Sequence, residues 1–291
     1  MNHAMAVFAS RLASVIAIAV MLSSCTTQIQ MTCTVPSRVG LQKGASLEIQ
    51  AEDSTTSKAI QATLSQELQQ GLFYTFSPDA DYLLRISETR EYTWSKGGSS
   101  EDEFFQDNET ELTTRITLSS KSDSVYGYSQ RYNVTAEEYS DTVEAICHDI
   151  ARDLQPHRII YTEKLNAPAG NPAFEQAADY CKAGMWQHAA RAAEQAVILT
   201  PDEPEAHYLQ GLIQRQLENY DAANTCFHKA SQLKPDTRYT EAANTCRMMQ
   251  NGAGYVRQQL RLNGDSEFNK GALPAYHMKK GTPWTHLFFH L

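Results

Sequence analysis

Positive charge is in short supply. Of 291 residues, 25 are Lys or Arg against 34 Asp or Glu, a formal net charge of -9. A surface that must displace counterions from phosphates needs the opposite balance, so no nucleic-acid partner is expected. Long apolar runs are equally scarce. One exists, uncharged from Leu12 to Leu22, and the mean hydropathy is -0.46, which excludes a polytopic helical membrane protein. The six cysteines contain no Cys-x-x-Cys pair, so neither a dithiol redox motif nor a zinc knuckle is supported. Nucleophile elbow, phosphate-cradling glycine loop and metalloprotease helix are all missing. The nine histidines are scattered; His148 and His157 stand on either side of Pro156, and His277, His286 and His290 lie near the C-terminus. No metal, cofactor or enzymatic activity is expected. Apolar residues are plentiful at 42%, enough to build cores over a length that permits about two domains.

The apolar run explains the N-terminus. Arg11 is the one charge before it, and at ~1.5 Å rise per residue the run spans roughly half of a ~30 Å hydrocarbon core, so residues 1–24 read as a secretory segment. It leads into Leu22-Ser23-Ser24-Cys25, an apolar residue, two small ones and a cysteine. That tetrad resembles the lipobox of bacterial lipoproteins. The resemblance implies that Cys25 is thioether-linked to a diacylglyceryl group, becomes the acylated first residue and holds the chain on a membrane. Thr26 replaces the Asp that commonly retains proteobacterial lipoproteins in the inner membrane, so the resemblance implies the outer membrane, periplasmic side. Residues 25–44 are then the lipid-anchored N-terminal segment.

Residues 45–165 alternate between two periodicities. Strands are predicted over 45–51, with Leu47 and Ile49 on one face, over 73–76 and 82–94, and through the alternating apolar residues of 112–118 and 126–134. A helix is predicted over 54–70, capped by Ser54 or Thr55, with Ile60, Leu64 and Leu68 on one side and Gly71 as its stop. Asp141 and Glu144 have capping-box spacing, ahead of an apolar stripe of Val143, Ile146, Cys147, Ile150 and Leu154 that Pro156 ends. The order describes an α+β layer, a mainly antiparallel sheet with helices on one face. With Ala80-Asp81-Tyr82-Leu83-Leu84 opening a strand and an amphipathic helix closing the segment, it resembles the small domain of CsgG, of the TolB N-terminus and of LpoB-type envelope proteins. Residues 95–108, rich in Gly, Ser and acids, read as a mobile hairpin loop. Phe104 and Phe105 within it are a candidate partner-binding tip or fold back on the sheet, and Glu101, Asp102 and Glu103 read as solvated surface.

After a linker at 165–170 the chain repeats itself. Pro201 and Pro235, Ala196 and Ala230, Ala189 and Ala223, Trp186 and Tyr220, and Ala177 and Gly211 are each 34 residues apart. This period, with Gly211, Tyr220, Ala223, Phe227, Ala230 and Pro235, resembles the tetratricopeptide repeat, two antiparallel helices per unit; Ala193 departs from its pattern. Asn171 with Pro172, Gly184, and Asp202 with Pro204 punctuate the helices. Residues 171–251 are read as two repeats plus a capping helix beginning at Tyr239. Residues 252–291 are read as an irregular tail whose terminal aromatics dock in a groove or stay loose.

Stacked helix pairs imply a concave surface able to hold a peptide or helix. The repeat register turns Phe174, Ala178, Tyr208, Leu212, Arg215, Tyr239 and Met249 toward it. Tyr and Arg are enriched where interfaces concentrate energy, although Phe174 and Met249 also suit a packing role. Five cysteines besides Cys25 cannot all pair within one chain. Cys33 with Cys147 is the first candidate bridge, and a buried thiol at Cys147 is the alternative. The expected function is a nonenzymatic, lipid-anchored envelope scaffold whose partner is another envelope protein or peptide in the repeat groove. The alternative is a structural subunit of an export or surface-polysaccharide assembly machine. The oligomeric state is left open.

Overall fold

The computed structural model describes residues 26–100, 103–123, 126–260 and 273–278. Cys25, Glu101, Asp102 and the terminal aromatics lie outside the described residues, as do the side chains of Phe104 and Phe105. The chain forms two compact units. Of the described residues, a sheet unit draws on those within 34–159, 251–260 and 273–276, and a repeat unit on 26–33, 160–250 and 277–278. The passage from one to the other at 159–160 precedes the proposed linker at 165–170.

The chain enters on β1 (Thr26–Val35), a strand the sequence reading omits. The sheet unit follows with β2 (Ser46–Ala51), α1 (Thr55–Gln70), β3 (Thr75–Phe76), β4 (Tyr82–Ser100), β5 (Glu103–Ser120), β6 (Gly127–Ala136) and α2 (Tyr139–Leu154). Five strands pair in the order β3-β2-β4-β5-β6. The short β2 runs parallel to both its neighbours, and the long pairings β4–β5 and β5–β6 are antiparallel. Helix α1 packs on β2 and β4, α2 on β5 and β6, and the helices on each other. Leu84, Ile86, Leu112, Ile116 and Leu118 meet Ile60, Leu64 and Leu68 of α1 and Ile146, Cys147 and Ile150 of α2, all essentially sealed from solvent. This is the α+β class expected.

Local chemistry sets the helix ends. Ser54 caps α1, its Oγ accepting from the Ser57 amide at 3.0 Å. The capping box expected at Asp141 and Glu144 is not formed: α2 starts earlier, at Tyr139, with Glu138 at the cap position and no side-chain cap bond. Asp141 instead sits in the first turn, where the helix dipole favours an acid.

The mobile loop expected at 95–108 is also replaced. β4 and β5 stay paired from Tyr82 opposite Ser120 to Ser100 opposite Glu103, an arm well past the reach of β2 and β6. Gly and Ser weaken strand propensity but keep their backbone donors and acceptors, and the ladder continues through them. One irregularity interrupts it. Between Ser87 and Arg90 two residues of β4, Glu88 and Thr89, stand where β5 offers Thr114, with Glu88 at φ +52°. The alternation inverts there. Leu84 and Ile86 face the helices before the bulge, and Tyr92 and Trp94 face away from them after it.

The repeat unit takes Ile160 onward from β7 (His157–Asn166), another strand the sequence reading missed. Then come α3 (Pro172–Lys182), α4 (Trp186–Leu199), α5 (Pro204–Gln216), α6 (Tyr220–Leu233) and α7 (Thr237–Gln259), each of α3 to α5 packing on the next in sequence. Asn171 caps α3 by accepting from the Phe174 amide at 3.0 Å, and Gly184, at φ +70°, turns the chain into α4. Pro204 takes the first turn of α5, but Glu203 rather than Asp202 is the cap residue. At Gly211 a β-carbon would lie 2.6 Å from Phe227 Cε1, so no larger residue lets α5 and α6 approach this closely. The tail expected from 252 is irregular only in part. α7 continues to Gln259 because Val256 and Leu260 bury themselves in the sheet unit's core, and β8 (Ala275–His277) joins a three-stranded sheet of order β1-β7-β8.

Candidate protein-interaction site

The residues nominated for an open groove are sealed. Phe174, Leu212 and Tyr239 have no exposed surface, and Tyr208, Arg215 and Met249 have 3% or less. As placed, they do not form a surface that a partner touches. The reason is within the repeat unit itself: residues 160–166 of β7 lie along this face as an extended segment.

Two acids organise the contact. Glu163 of β7 accepts from Arg215 Nη2 at 2.7 Å and from the Tyr208 hydroxyl at 3.1 Å. The Arg215 guanidinium lies 5.6 Å from the ring centres of both Tyr161 and Phe227. Glu205 of α5 accepts from the Asn166 amide at 3.1 Å, from the Tyr239 hydroxyl at 2.7 Å and from Arg238. Arg238 in turn donates to the Lys164 carbonyl at 3.4 Å, and its guanidinium stands over the Tyr208 and Tyr239 rings. On β1, Gln216 closes a two-way bond with Thr32, accepting from its amide and donating to its hydroxyl, both at 3.0 Å. The helical face thus reads strand backbone at Thr32, Lys164 and Asn166 and one strand carboxylate at Glu163.

Burial tunes these groups. It acts to lower the Arg215 pKa, but Tyr161 and Glu163 outweigh it, so the guanidinium stays charged. Burial raises the Tyr208 phenol first and the Glu163 carboxylate adds to it; Tyr239 is raised by burial and by its bond to Glu205. Both phenols are therefore fixed donors. Glu163, Tyr161, Glu205 and Arg238 escaped the sequence reading. The alternation of Ile159, Tyr161, Glu163 and Leu165 was the available signal for a half-buried strand.

Two cavities among the described residues bear on binding. One, of about 220 Å³, opens on α3; Phe174 and Ala178 line it with Thr27 and Ala167, and Glu175 and Asp179 stand among its polar residues. The other, of about 310 Å³ in the sheet unit, is lined by Glu67, His148 and Tyr276 among others. Its polar groups already satisfy each other, His148 Nδ1 and the Tyr276 hydroxyl both meeting Glu67 Oε1, at 2.6 and 3.0 Å.

The expected Cys33–Cys147 bridge is not formed, and no disulfide occurs among the described residues. Cys33 belongs to the repeat unit and Cys147 to the sheet unit. The Cys147 thiol donates to the Ile60 carbonyl at 3.6 Å. Burial pushes Cys147 and Cys181 up to about 12 and Cys226 and Cys246 up to about 11, which leaves them protonated and poorly nucleophilic.

Comparison with known proteins adds one assignment. The tetratricopeptide repeat family model matches residues 204–237, the span of α5 and α6. No curated protein matches the chain significantly. Similar solved structures include a minor lipoprotein from Acinetobacter baumannii, 12% identical at a TM-score of 0.27 over 37% of this chain and 89% of that one. PelC from Paraburkholderia phytofirmans, a dodecamer, is 16% identical at a TM-score of 0.30 over 43% and 98%. Lipoprotein B from Nitrosomonas europaea is 12% identical at 0.25 over 39% and 84%. Residues 204–237 are a tetratricopeptide repeat, a helix pair that in general mediates contacts between proteins.

Proposed function

We propose that this protein is a nonenzymatic interaction scaffold, held on a bacterial envelope membrane by lipid on Cys25 and binding another envelope protein through its repeat unit. The observation that carries the reading is the tetratricopeptide repeat at 204–237, folded as a tight helix pair around Gly211 and Phe227. Among the described residues no helix is long and apolar enough to cross a membrane, and the Leu22 to Cys25 tetrad supports acylation as the attachment. Because residues 160–166 fill the inner face, the partner engages the opening on α3. Thr27, Ala167, Glu175, Asp179 and Lys182 keep exposed surface around it and have the mainly polar make-up of an interface rim.

The test places a photo-crosslinking residue at Asp179, beside that opening, and at Leu72, an exposed position of the sheet unit. In cells the Asp179 probe should give one discrete protein adduct in the membrane fraction, and Cys25→Ala should move the chain to the soluble fraction without fatty-acid labelling. Equal adducts from both positions, or none from Asp179, would overturn the binding role. An unlabelled wild-type Cys25 would overturn the anchor.

A further inference from the structure

The arm formed by β4 and β5 has features that neither the repeat nor the proposed scaffold role uses. Beyond the bulge at Glu88 and Thr89, Tyr92 is 53% exposed and Trp94 37%, two large aromatic side chains side by side on the face turned away from the helices. Directly opposite them on β5 stand Glu111 and Glu109. From Glu91 to Glu111 the sequence holds seven acidic residues and one basic, Lys96. The backbone is equally unfinished. β2 accompanies β4 only as far as Ile86, and among the described residues no strand but β5 pairs with β4 from Tyr92 to Ser100.

We propose that this arm binds a cationic extended segment of a partner protein, which adds as a strand to the open edge of β4. Its Lys or Arg side chains lie over Tyr92 and Trp94 toward Glu109 and Glu111. Each feature finds its complement in such a ligand: ladder bonds for the edge, cations for the aromatic faces and positive charge for the acids. A second copy of the arm fits the edge but brings the same excess of acid, so like charge opposes self-pairing, and an anionic lipid surface is repelled for the same reason.

The probe is a blocked peptide of about nine residues alternating Lys and Val, labelled at one end and titrated with the full acyl-free chain. Binding should weaken about tenfold or more when NaCl is raised from about 0.05 M to about 0.5 M. The variant Tyr92→Ser/Trp94→Ser, both positions exposed, should weaken it about tenfold with an unchanged circular dichroism spectrum. The proposal is overturned by no binding of the Lys-Val peptide, by equal binding of a Glu-Val peptide, or by equal affinity of the folded double variant. Self-association that the double variant abolishes would equally overturn it, in favour of a second copy as occupant. None of these readouts depends on Asp179 or Cys25, so the arm and the repeat scaffold fail separately.

Discussion

Each unit gathers a carboxylate, an arginine and tyrosine hydroxyls in one cluster, but places the two charges in opposite order. In the sheet unit the acid is inside: Asp153 accepts from Tyr132 at 2.8 Å and from Tyr128 and Arg38 at 3.2 Å, while the Arg38 side chain keeps 28% of its surface in water. In the repeat unit the cation is inside, Arg215 at 2% exposure with Glu163 at 20%. The difference matters because an acid has a way out. Burial outweighs Arg38 and raises the Asp153 carboxyl above its ordinary range, so it can take up a proton. A guanidinium cannot release one. The buried arginine therefore depends on its partner far more than the buried aspartate does.

The largest expected effect tests that dependence. Glu163→Leu should leave Arg215 uncompensated and lower stability by about 3–5 kcal/mol in urea unfolding, and adding Arg215→Met should recover most of the loss. Recovery of less than about half would mean that the strand is held by packing rather than by the ion pair.

Acid should discriminate the units next. His157 of the sheet unit is buried and neutral, its pKa pushed down to about 3 from 6.5 by desolvation, against which its backbone bonds to Gln155 and Arg152 act. Between those values the unfolded chain binds a proton that the folded chain refuses, so stability falls as pH drops, by about 1.4 kcal/mol per unit and about 2 kcal/mol by pH 5. His157→Asn should flatten that slope in pH-dependent unfolding; an unaltered slope would assign it to other groups.

A smaller effect is expected at Gly211. A methyl there meets the Phe227 ring, which should cost about 1–3 kcal/mol, offset by about 1 kcal/mol of helix propensity. Gly211→Ala should thus lower stability modestly, and Phe227→Leu in the same chain should reduce the added cost. Smallest is Asp153→Asn, about 1 kcal/mol at neutral pH, because the amide oxygen still accepts from the tyrosines. Its pH signature runs opposite to that of His157. The folded Asp153 holds its proton to higher pH than the unfolded 3.8, so it adds stability as pH falls through that interval. The Asn variant should lose this gain. A loss as large as for Glu163→Leu would erase the contrast between the clusters.

Much of the fold was legible because its signals are local. Ser54, Asn171, Pro172, Gly184 and Pro204 mark helix ends by what they do to adjacent backbone, and the 34-residue period locates the helix pairs. The candidate site was not. Tyr208 and Arg215 do share one face of α5, but that face is closed by Glu163, 45 and 52 residues away in sequence. Periodicity reports which side of a helix is special, not what covers it. The arm was misread for a different reason. Its Gly and Ser composition resembles that of loops, whereas its register is carried by backbone pairing, which composition does not encode.

The bulge at Glu88 and Thr89 acts as a phase shifter. On a strand, side-chain address is a matter of odd and even, so pairing the same residues without the bulge would turn Tyr92 and Trp94 under the helices and bring Glu91 and Thr93 out in their place. The composition of the arm would scarcely alter, yet its surface would change from aromatic to hydrophilic. The extra residue at Glu88 and Thr89 is thus what lets an unbroken stretch of β4 present Leu84 and Ile86 to the helices and Tyr92 and Trp94 to the opposite face.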